Sequence, residues 1–517
     1  MEKRPLAIIL ILAMAVTLLS GCGNAAKETT PEPAETPTAQ ETGRAAANEI
    51  NIGIAQDFDS LDPDYMTAAG TKEILFNVFE GLVKPNAAGE IVPAVASSVE
   101  KSDDGLNYVF TLREGVRFHN GDPVEMEDLV YSVERRWKGE DTAAQLGALA
   151  VIDSLETEGN TFTVHLTEPS NEFLAAIMNA YILPADYSEQ ETAPVGTGPF
   201  RFVSRSVQDS LVLERFPDYW GTPAKIDKVT FKILESAEGL VLGLQSGALD
   251  LVAHLSSDQT VQLNQADFGI AEGSMNLVQA LYLNNAEKPF DDIRVRQALC
   301  YAVDKQAVID LAFDGYGIPL GTSMFPSFRK YYDDSLTDYY TLDLEKARSL
   351  LAEAGYPDGF DMTITVPSNY TPHVNTATVL VELLREIGVN ATVQPVDWGT
   401  WLEEVYGNRK FQSTITGLTS DNMTARKLLE RFGSEVGNNF TNYSNSEYDE
   451  ILARAVSATD DAEQTELYRE LERNLTENAA NVYLQDMADL VAVRNGLKGL
   501  TFYPIYVLDV SLLYWDK

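Results

Sequence analysis

Few residues of this chain could perform covalent or metal chemistry, and they lie far apart in the sequence. The four histidines are His119, His165, His254 and His373, and the two cysteines are Cys22 and Cys300. A structural zinc site needs closely spaced Cys or His ligands, and a disulfide framework needs several cysteine pairs. These counts and spacings therefore exclude a disulfide framework and a cysteine-rich metal site.

The motifs that position a nucleophile, a catalytic metal or a nucleotide phosphate are also missing from the sequence. There is no G-x-S-x-G, no H-E-x-x-H and no G-x-x-x-x-G-K-[ST]. Cys300 lies in the apolar helical stretch Arg296–Val303, where we expect a buried hydrophobic group rather than a nucleophile. We therefore expect a protein that is not an enzyme, with no catalytic residues, no cofactor and no metal ligands.

One acidic run has a composition that could suggest calcium. Its members are Asp57, Asp59, Asp62 and Asp64. The run lacks the glycine and the distal glutamate of an EF-hand loop, so we predict a solvated loop instead.

The first residues predict export and lipid attachment. Lys3 and Arg4 precede an apolar run over residues 6–19, which is too short to span a bilayer and is typical of a secretory signal. The run ends in Leu19-Ser20-Gly21-Cys22, which resembles the bacterial lipobox. We expect a signal peptide over residues 1–21 and a diacylglycerol on Cys22, which would hold the chain at the outer face of the cell membrane. An ordinary signal peptide with an unrelated cysteine is the alternative.

The net charge of −40 limits the partners. A surface with this much negative charge repels phosphate backbones and anionic lipid headgroups. We therefore expect no nucleic-acid partner and no membrane attachment through basic residues. Residues 22–47 are rich in Pro, Thr and Glu without apolar periodicity, and they predict a disordered linker between the lipid and the folded protein.

The folded part shows both strand and helix periodicities. Alternation predicts strands at residues 50–54, and at 108–112 and 161–166 within a small antiparallel sheet. A helix is predicted from Leu344 with Asp343 as its N-cap, and residues 360–396 read as a β-α-β unit. Mixed α/β layers are the expected architecture.

Seven segments in order resemble the family 5 extracellular solute-binding proteins, which serve ABC importers of dipeptides, oligopeptides or nickel. They are FEGLV at 79–83, GEIVPAVA at 89–96, SDDGLNYVFTLREGVRFHNG at 102–121, VGTGPF at 195–200, FPDYWG at 216–221, FDDIRVRQAL at 290–299 and ARSLLAEAGY at 347–356. The resemblance spans about residues 49–515. It implies an α/β, two-lobed periplasmic-binding-protein-like fold with an extra subdomain in the first lobe.

The resemblance also implies a domain order and a mode of action. The first lobe would cover residues 48–275 with an inserted subdomain at about 81–190, the second lobe 276–483, and residues 484–517 would return to the first lobe. The lobes would close on a solute, in a hinge motion, and the receptor, expected to be a monomer, would deliver it to ABC permease and ATPase subunits.

The resemblance points to eight ligand-binding candidates. Asp421 aligns with an aspartate that holds a peptide ammonium group, which needs a fixed carboxylate once it leaves water. The other candidates are Trp398, Trp401, Thr419, Asn369, Tyr370, Tyr65 and Met66. Both tryptophans could pack on ligand or in the core.

Two departures from the dipeptide-binding members leave the ligand open. Met423-Thr424 replaces an aspartate-proline step, and the loop over residues 366–373 lacks the arginine that pairs with a dipeptide carboxylate. A longer peptide read through its backbone would not need that arginine. A nickel chelate, an oligosaccharide, a signalling role instead of import, and an exported peptidase are the alternatives.

Overall fold

Residues 47–139, 149–420 and 423–516 are described in the computed structural model. The predicted signal peptide, Cys22, the linker up to residue 46 and Asp421 therefore lie outside the described residues. Within these three ranges, no helix is both long and apolar enough to cross a membrane.

Nineteen strands form within the described ranges. In chain order they are β1 (Glu49–Ile54), β2 (Val83–Pro85), β3 (Ile91–Pro93), β4 (Ala96–Lys101), β5 (Asn107–Leu112), β6 (Ile152–Glu158), β7 (Thr161–Leu166), β8 (Phe200–Ser206), β9 (Ser210–Arg215), β10 (Lys228–Ile233), β11 (Leu251–Leu255), β12 (Phe268–Leu283), β13 (Gly317–Pro319), β14 (Phe360–Pro367), β15 (Val389–Val396), β16 (Ser413–Thr419), β17 (Asn481–Arg494), β18 (Leu497–Lys498) and β19 (Tyr514–Trp515).

The α-helices lie mainly between these strands. They are α1 (Ala69–Leu75), α2 (Met126–Lys138), α3 (Phe173–Ile177), α4 (Ala237–Gln245), α5 (Ser257–Thr260), α6 (Ile293–Ala302), α7 (Lys305–Phe313), α8 (Leu344–Glu353), α9 (Thr371–Arg385), α10 (Trp398–Thr400), α11 (Arg426–Leu429), α12 (Ser446–Ser457) and α13 (Asp461–Glu477). A π-helical turn, Trp401–Gly407, continues α10.

One large mixed sheet organises the fold. Its strand order is β15-β14-β16-β12-β17-β11-β1-β10-β9-β8, with β13 paired to β17. The alternation predicted for β1 is confirmed, since Ile50 and Ile52 are fully buried. The predicted mixed α/β architecture is therefore correct.

Two long strands, β12 and β17, connect the two halves of this sheet. Residues 268–274 of β12 pair with 488–494 of β17, whereas residues 278–282 pair with 481–486. The register shifts between Ser274 and Val278. We call β1 and β8–β11 with the adjoining ends of β12 and β17 the first half of the sheet, and β14–β16 with their other ends the second half.

The carboxyl ends of the parallel strands in both halves point toward this register shift. In the first half, β1 is parallel to β10 and β11, and β11 ends with Leu255 opposite Leu490 of β17. In the second half, β16 ends with Thr419 opposite Leu277, and β14 runs parallel to both β15 and β16. Ligand sites of α/β sheets form beyond such strand ends, so the loops that follow them define the candidate site.

A separate four-stranded antiparallel sheet has the order β4-β5-β7-β6. Tyr108 of β5 pairs with Val164 of β7, which confirms the small antiparallel sheet predicted from the alternation of apolar residues. Both strands bury one face, with Phe110 and Phe162 fully buried. The domain boundaries given by the family resemblance stay predictions.

The predicted helical unit of the second half is confirmed. The Asp343 side chain accepts the backbone N–H of Lys346 and begins α8, as expected of an N-cap. Residues 360–396 form β14, α9 and β15, with the two strands parallel. Cys300 is buried on α6, and burial raises the pKa of its thiol to about 12, which agrees with its predicted hydrophobic role.

The prediction of a solvated loop for the acidic run after β1 is wrong for Asp62 and Asp64, whereas Asp59 is exposed. Asp62 and Asp64 are buried and pair with Arg135 of α2, at 2.6 and 3.1 Å. Asp59 accepts two backbone N–H groups, at 2.7 and 2.8 Å. Spacing along the chain could not reveal that α2 brings an arginine to this loop.

Candidate functional site

A cavity of about 460 Å³ lies between the two halves of the sheet, beyond the facing strand ends. The second half contributes the end of β16 (Gly417, Leu418 and Thr419) and the segment that holds Lys427 and Arg431. The first half contributes residues of α1 and of the segments around β2 and the chain terminus, including Lys72, Phe76, Glu80, Lys84, Tyr181 and Tyr506. We call this cavity the cleft.

The end of β16 presents an open backbone edge to the cleft. On one side, residues 413–419 pair with β12 along their full length. On the other side, β14 pairs only with Ser413 and Thr414. No other strand of the described ranges pairs with β16, and residues 417–419 line the cleft, so their N–H and C=O groups on that edge can pair with an extended chain.

The cleft contains one buried acid whose hydrogen bonds are already made within the protein. Glu80 accepts from Lys84 at 2.8 Å, from the Tyr219 hydroxyl at 2.7 Å and from the Trp220 indole at 2.6 Å. Three donors, one of them a cation, satisfy a buried carboxylate. Glu80 therefore positions Lys84 at the cleft wall.

The aromatic candidates form a stack beyond β14 and β15. Trp398 lies 5.1 Å from Trp401 with the rings nearly parallel, and Tyr370 packs against Trp398 at 5.3 Å. Trp401 is 3% exposed and its indole donates to Thr414 at 2.9 Å, whereas Trp398 is 37% exposed. Trp401 is thus a core residue that supports Trp398, and Trp398 and Tyr370 present the open end of the stack.

The remaining predicted residues lie in different environments. Thr419 is exposed at the end of β16, and Asn369 and Tyr65 are exposed in the segments that follow β14 and β1. Met66 is 3% exposed and packs in the core of the first half. Of the described candidates, Thr419 alone lines the cleft. Met66 has no open surface, and Asp421 lies outside the described residues.

A second cavity of about 550 Å³ adjoins the carboxyl ends of β1 and β11 and shares Ala69 and Tyr506 with the cleft. Here His254 contacts Glu73 at 2.9 Å and Asp489 at 2.8 Å, and it stacks on Tyr506 with ring centroids 4.5 Å apart. Burial opposes the charged imidazole, but the hydrogen bonds to Asp489 and Glu73 outweigh it and raise the pKa of His254 to about 10. An imidazolium thus holds the exposed Tyr506 ring between the two cavities.

Sequence reasoning missed the charged residues of the cleft. None of these residues is among the eight predicted ligand-binding candidates. They are Lys72, Glu80, Lys84, Lys427 and Arg431. One signal was present, because Lys427 and Arg431 are four residues apart and follow the segment of Asp421 directly, so a helix there would place them on one face.

Within the described ranges, no group of three or more His, Cys, Asp or Glu side chains is arranged to hold a metal ion. The side chains of the cleft are instead hydrogen-bonding groups, cations and aromatic rings. Such a mixture suits noncovalent recognition of a polar organic solute.

Comparisons with known proteins agree with this arrangement. The chain is 28% identical to the glutathione-binding protein GsiB of Pectobacterium atrosepticum, over 89% of this chain and 92% of that protein. It is 26% identical to the dipeptide-binding protein of Escherichia coli, over 80% and 84% of the two chains. The ABC transporter substrate-binding protein CtaP of Listeria monocytogenes superposes with a TM-score of 0.80, covering 91% of this chain and 99% of that one at 24% identity.

The family model described as bacterial extracellular solute-binding proteins, family 5 Middle, matches residues 90–440. That match includes the small antiparallel sheet, most of the large sheet and the open edge of β16. The two-lobed fold expected from the sequence segments is the fold of these relatives. The chain belongs to the family 5 bacterial extracellular solute-binding proteins.

Proposed function

We propose that this protein is a receptor that binds peptides in the cleft and delivers them to an ABC permease. The open edge of β16 carries the proposal. An extended peptide can add to that edge as a further strand, with its main chain held by hydrogen bonds and its side chains pointing alternately into the cavity.

The names of two relatives support a peptide ligand. One is a dipeptide-binding protein and the other a glutathione-binding protein, so their ligands share peptide bonds, an ammonium group and carboxylates. An edge that reads the main chain recognises those common groups without requiring one side-chain sequence. Asp421, at the end of this edge in the sequence, is the proposed partner of the ammonium group.

Closure of the two halves would follow from the same geometry. A peptide on the edge of β16 also faces Phe76, Tyr181 and Tyr506 of the first half. Among the described strands, β12 and β17 alone carry the large sheet across the register shift, so bending at this point would change the distance between the walls. Contacts made to both walls at once favour the closed arrangement, because a ligand shifts an equilibrium by its differential affinity.

Attachment to the membrane is proposed through a lipid on Cys22. The basic start, the apolar run and the small residues before the cysteine support it. The linker that follows would let the folded receptor reach a permease in the same membrane.

Native mass spectrometry tests the ligand class directly. The full chain is purified in detergent, and the ligand released on denaturation is then identified. We expect peptides of mixed sequence, lost in Asp421→Ala and retained in Asp153→Ala, which removes an exposed acid of β6 outside both cavities. A single non-peptide mass that is unaffected by Asp421→Ala would overturn the peptide assignment.

A further inference from the structure

The charge of the cleft is opposite to that of the chain. The net charge of the protein is −40, yet the described residues that line the cleft include four cations and a single acid. The cations are Lys72, Lys84, Lys427 and Arg431, and the acid is Glu80. A cation-lined cavity in an acidic protein attracts anionic ligands selectively, since the rest of the surface repels them.

Part of this positive charge is neutralised inside the protein. Lys84 pairs with Glu80 at 2.8 Å and also lies over the Trp220 ring, 5.1 Å from its centroid. That pair therefore adds little net charge to the cleft. Arg431 and Lys72, one from each wall, supply positive charge that Glu80 does not neutralise.

Arg431 is a buried guanidinium whose N–H donors are only partly satisfied by the surrounding protein. Its side chain lines the cleft, the residue is 8% exposed, and its Nε donates to the backbone oxygen of Lys427 at 3.2 Å. No carboxylate of the described residues lies within ion-pair distance of it. A buried charge without a counter-charge is costly, so a binding partner is expected from outside the chain.

Two other arginines of this protein show what a satisfied guanidinium looks like. Arg296 is equally buried and donates to three backbone oxygens, of Phe290, Asn478 and Ala479, at 2.7 to 3.0 Å. Arg494 pairs with Asp250 at 2.9 Å. Arg431 has neither arrangement among the described residues, and it lines a cavity.

Lys72 supplies a second cation from the opposite wall. It lies on α1, it is exposed, and no acid of the described ranges pairs with it. An anionic group between α1 and the segment of Arg431 would therefore contact both halves of the sheet. Charge-assisted hydrogen bonds to both walls would be completed only when the halves approach each other.

We infer that the cleft selects peptides that carry a net negative charge, with a ligand carboxylate bound by Arg431 and by Lys72 from the facing wall. This inference rests on the proposed peptide-binding function. The carboxylate can come from an acidic side chain or from the peptide terminus. A planar guanidinium suits either source, because it can donate two parallel hydrogen bonds to one carboxylate.

Competition binding of defined tripeptide mixtures to the full chain in detergent tests the inference. Three mixtures share the same randomised flanking residues and carry Glu, Gln or Lys in the middle, and each is made with a free and with an amidated carboxyl terminus. We expect the Glu mixtures to bind roughly tenfold or more tighter than the Gln mixtures, and the Lys mixtures to bind weakest. If only amidation weakens binding, the bound carboxylate is terminal and the selection for a net negative charge is overturned; if only Glu→Gln does, it is a side chain.

Variants identify the cations that act. Arg431→Gln and Lys72→Gln should each reduce the preference for the anionic mixtures at least several-fold. Arg426→Gln is the matched control, because Arg426 lies in the same segment but pairs with Glu430 at 2.7 Å and does not line the cleft. Lys72 is exposed, so its variant keeps the test valid even if Arg431→Gln fails to fold.

The outcomes separate this inference from the proposed function. Binding of all mixtures with equal affinity, free or amidated, would overturn the selection for anions and leave peptide binding intact. No binding of any mixture would overturn both. Equal loss of the preference in Arg426→Gln would assign it to general charge and overturn the role of Arg431.

Discussion

The Asp486 carboxylate accepts a hydrogen bond from the Ser274 hydroxyl at the point where β12 and β17 lose their register. The same carboxylate accepts the backbone N–H of Leu277 at 3.0 Å. Asn276, between them, has a φ of 56°, which an asparagine adopts more readily than most residues. A fully buried acid thus replaces the strand partner that the shifted backbone lacks.

Asp486 should make the stability of the protein depend on pH. Burial raises the pKa of its carboxyl to about 7, whereas an unfolded chain releases that proton near pH 4. The folded state therefore binds more protons than the unfolded state between these values, and this residue lowers the free energy of unfolding as pH rises from 4 to 7. In urea titrations, Asp486→Asn should match the wild type near pH 4 and exceed its stability by roughly 1–3 kcal/mol at pH 8.

Asp153→Asn is the control for that series, because Asp153 is exposed on β6. The difference in the free energy of unfolding between Asp153→Asn and the wild type should not grow from pH 4 to pH 8. A difference between Asp486→Asn and the wild type that shrinks as pH rises would show an ionised, stabilising carboxylate and contradict the prediction.

The His254 imidazole should stabilise the first half of the sheet at neutral and lower pH. Its pKa is raised to about 10, above the value near 6.5 of an unfolded chain. The stabilisation is therefore complete below pH 6.5 and is lost as pH rises toward 10. We expect His254→Gln to lower the free energy of unfolding by roughly 2 kcal/mol at pH 6, since it leaves Glu73 and Asp489 without their shared cation.

Urea unfolding at pH 6 and at pH 9.5 measures this effect as the difference between wild type and variant. His165→Gln, in the small antiparallel sheet, controls for the loss of an imidazole. A His254→Gln effect of the same size at both pH values would mean that packing on Tyr506, and not charge, gives the stabilisation.

Local patterns were enough to predict much of the fold. The alternation at β1, the β-α-β unit of β14, α9 and β15, and the N-cap Asp343 depend on neighbours within a few residues, so the sequence carries them directly. The seven family segments supplied the two-lobed arrangement, which no local pattern contains. The family resemblance also supplied the ligand candidates, and their binding role stays a prediction.

Side-chain environments set by distant parts of the chain could not be predicted. Met66 follows an acidic loop, but α1 and the sheet bury it. Asp62 is paired only because Arg135, 73 residues later, reaches it. The cations of the cleft come from three separate segments, and their juxtaposition depends on how the two halves of the sheet meet. Burial and pairing of this kind are properties of the folded chain.

The two stacked tryptophans should separate into a structural and a binding role. Trp401→Phe removes the indole donor to Thr414, and we expect a loss of about 1 kcal/mol in the free energy of unfolding with little change in ligand affinity. Trp398→Ala, at the exposed end of the stack, should leave the unfolding temperature nearly unchanged and weaken peptide binding several-fold. Thermal unfolding of both variants measures stability, and calorimetric titration of both measures peptide affinity. The reverse pattern would place Trp401 at the ligand.

Recognition through the open edge of β16 should depend on the peptide backbone more than on side-chain sequence. Each main-chain hydrogen bond contributes about 1 kcal/mol, so N-methylation of an amide that pairs with residues 417–419 should weaken binding roughly fivefold to tenfold. N-methylation at successive positions should give strong and weak effects in alternation, because only every second residue of a strand directs its N–H toward a given edge. Calorimetric titration of one tightly bound peptide and its N-methylated series measures this. The unmethylated peptide with a conservative side-chain change at the same position controls for shape. Uniformly small effects along the series would show that side chains and termini, not the β16 edge, hold the ligand.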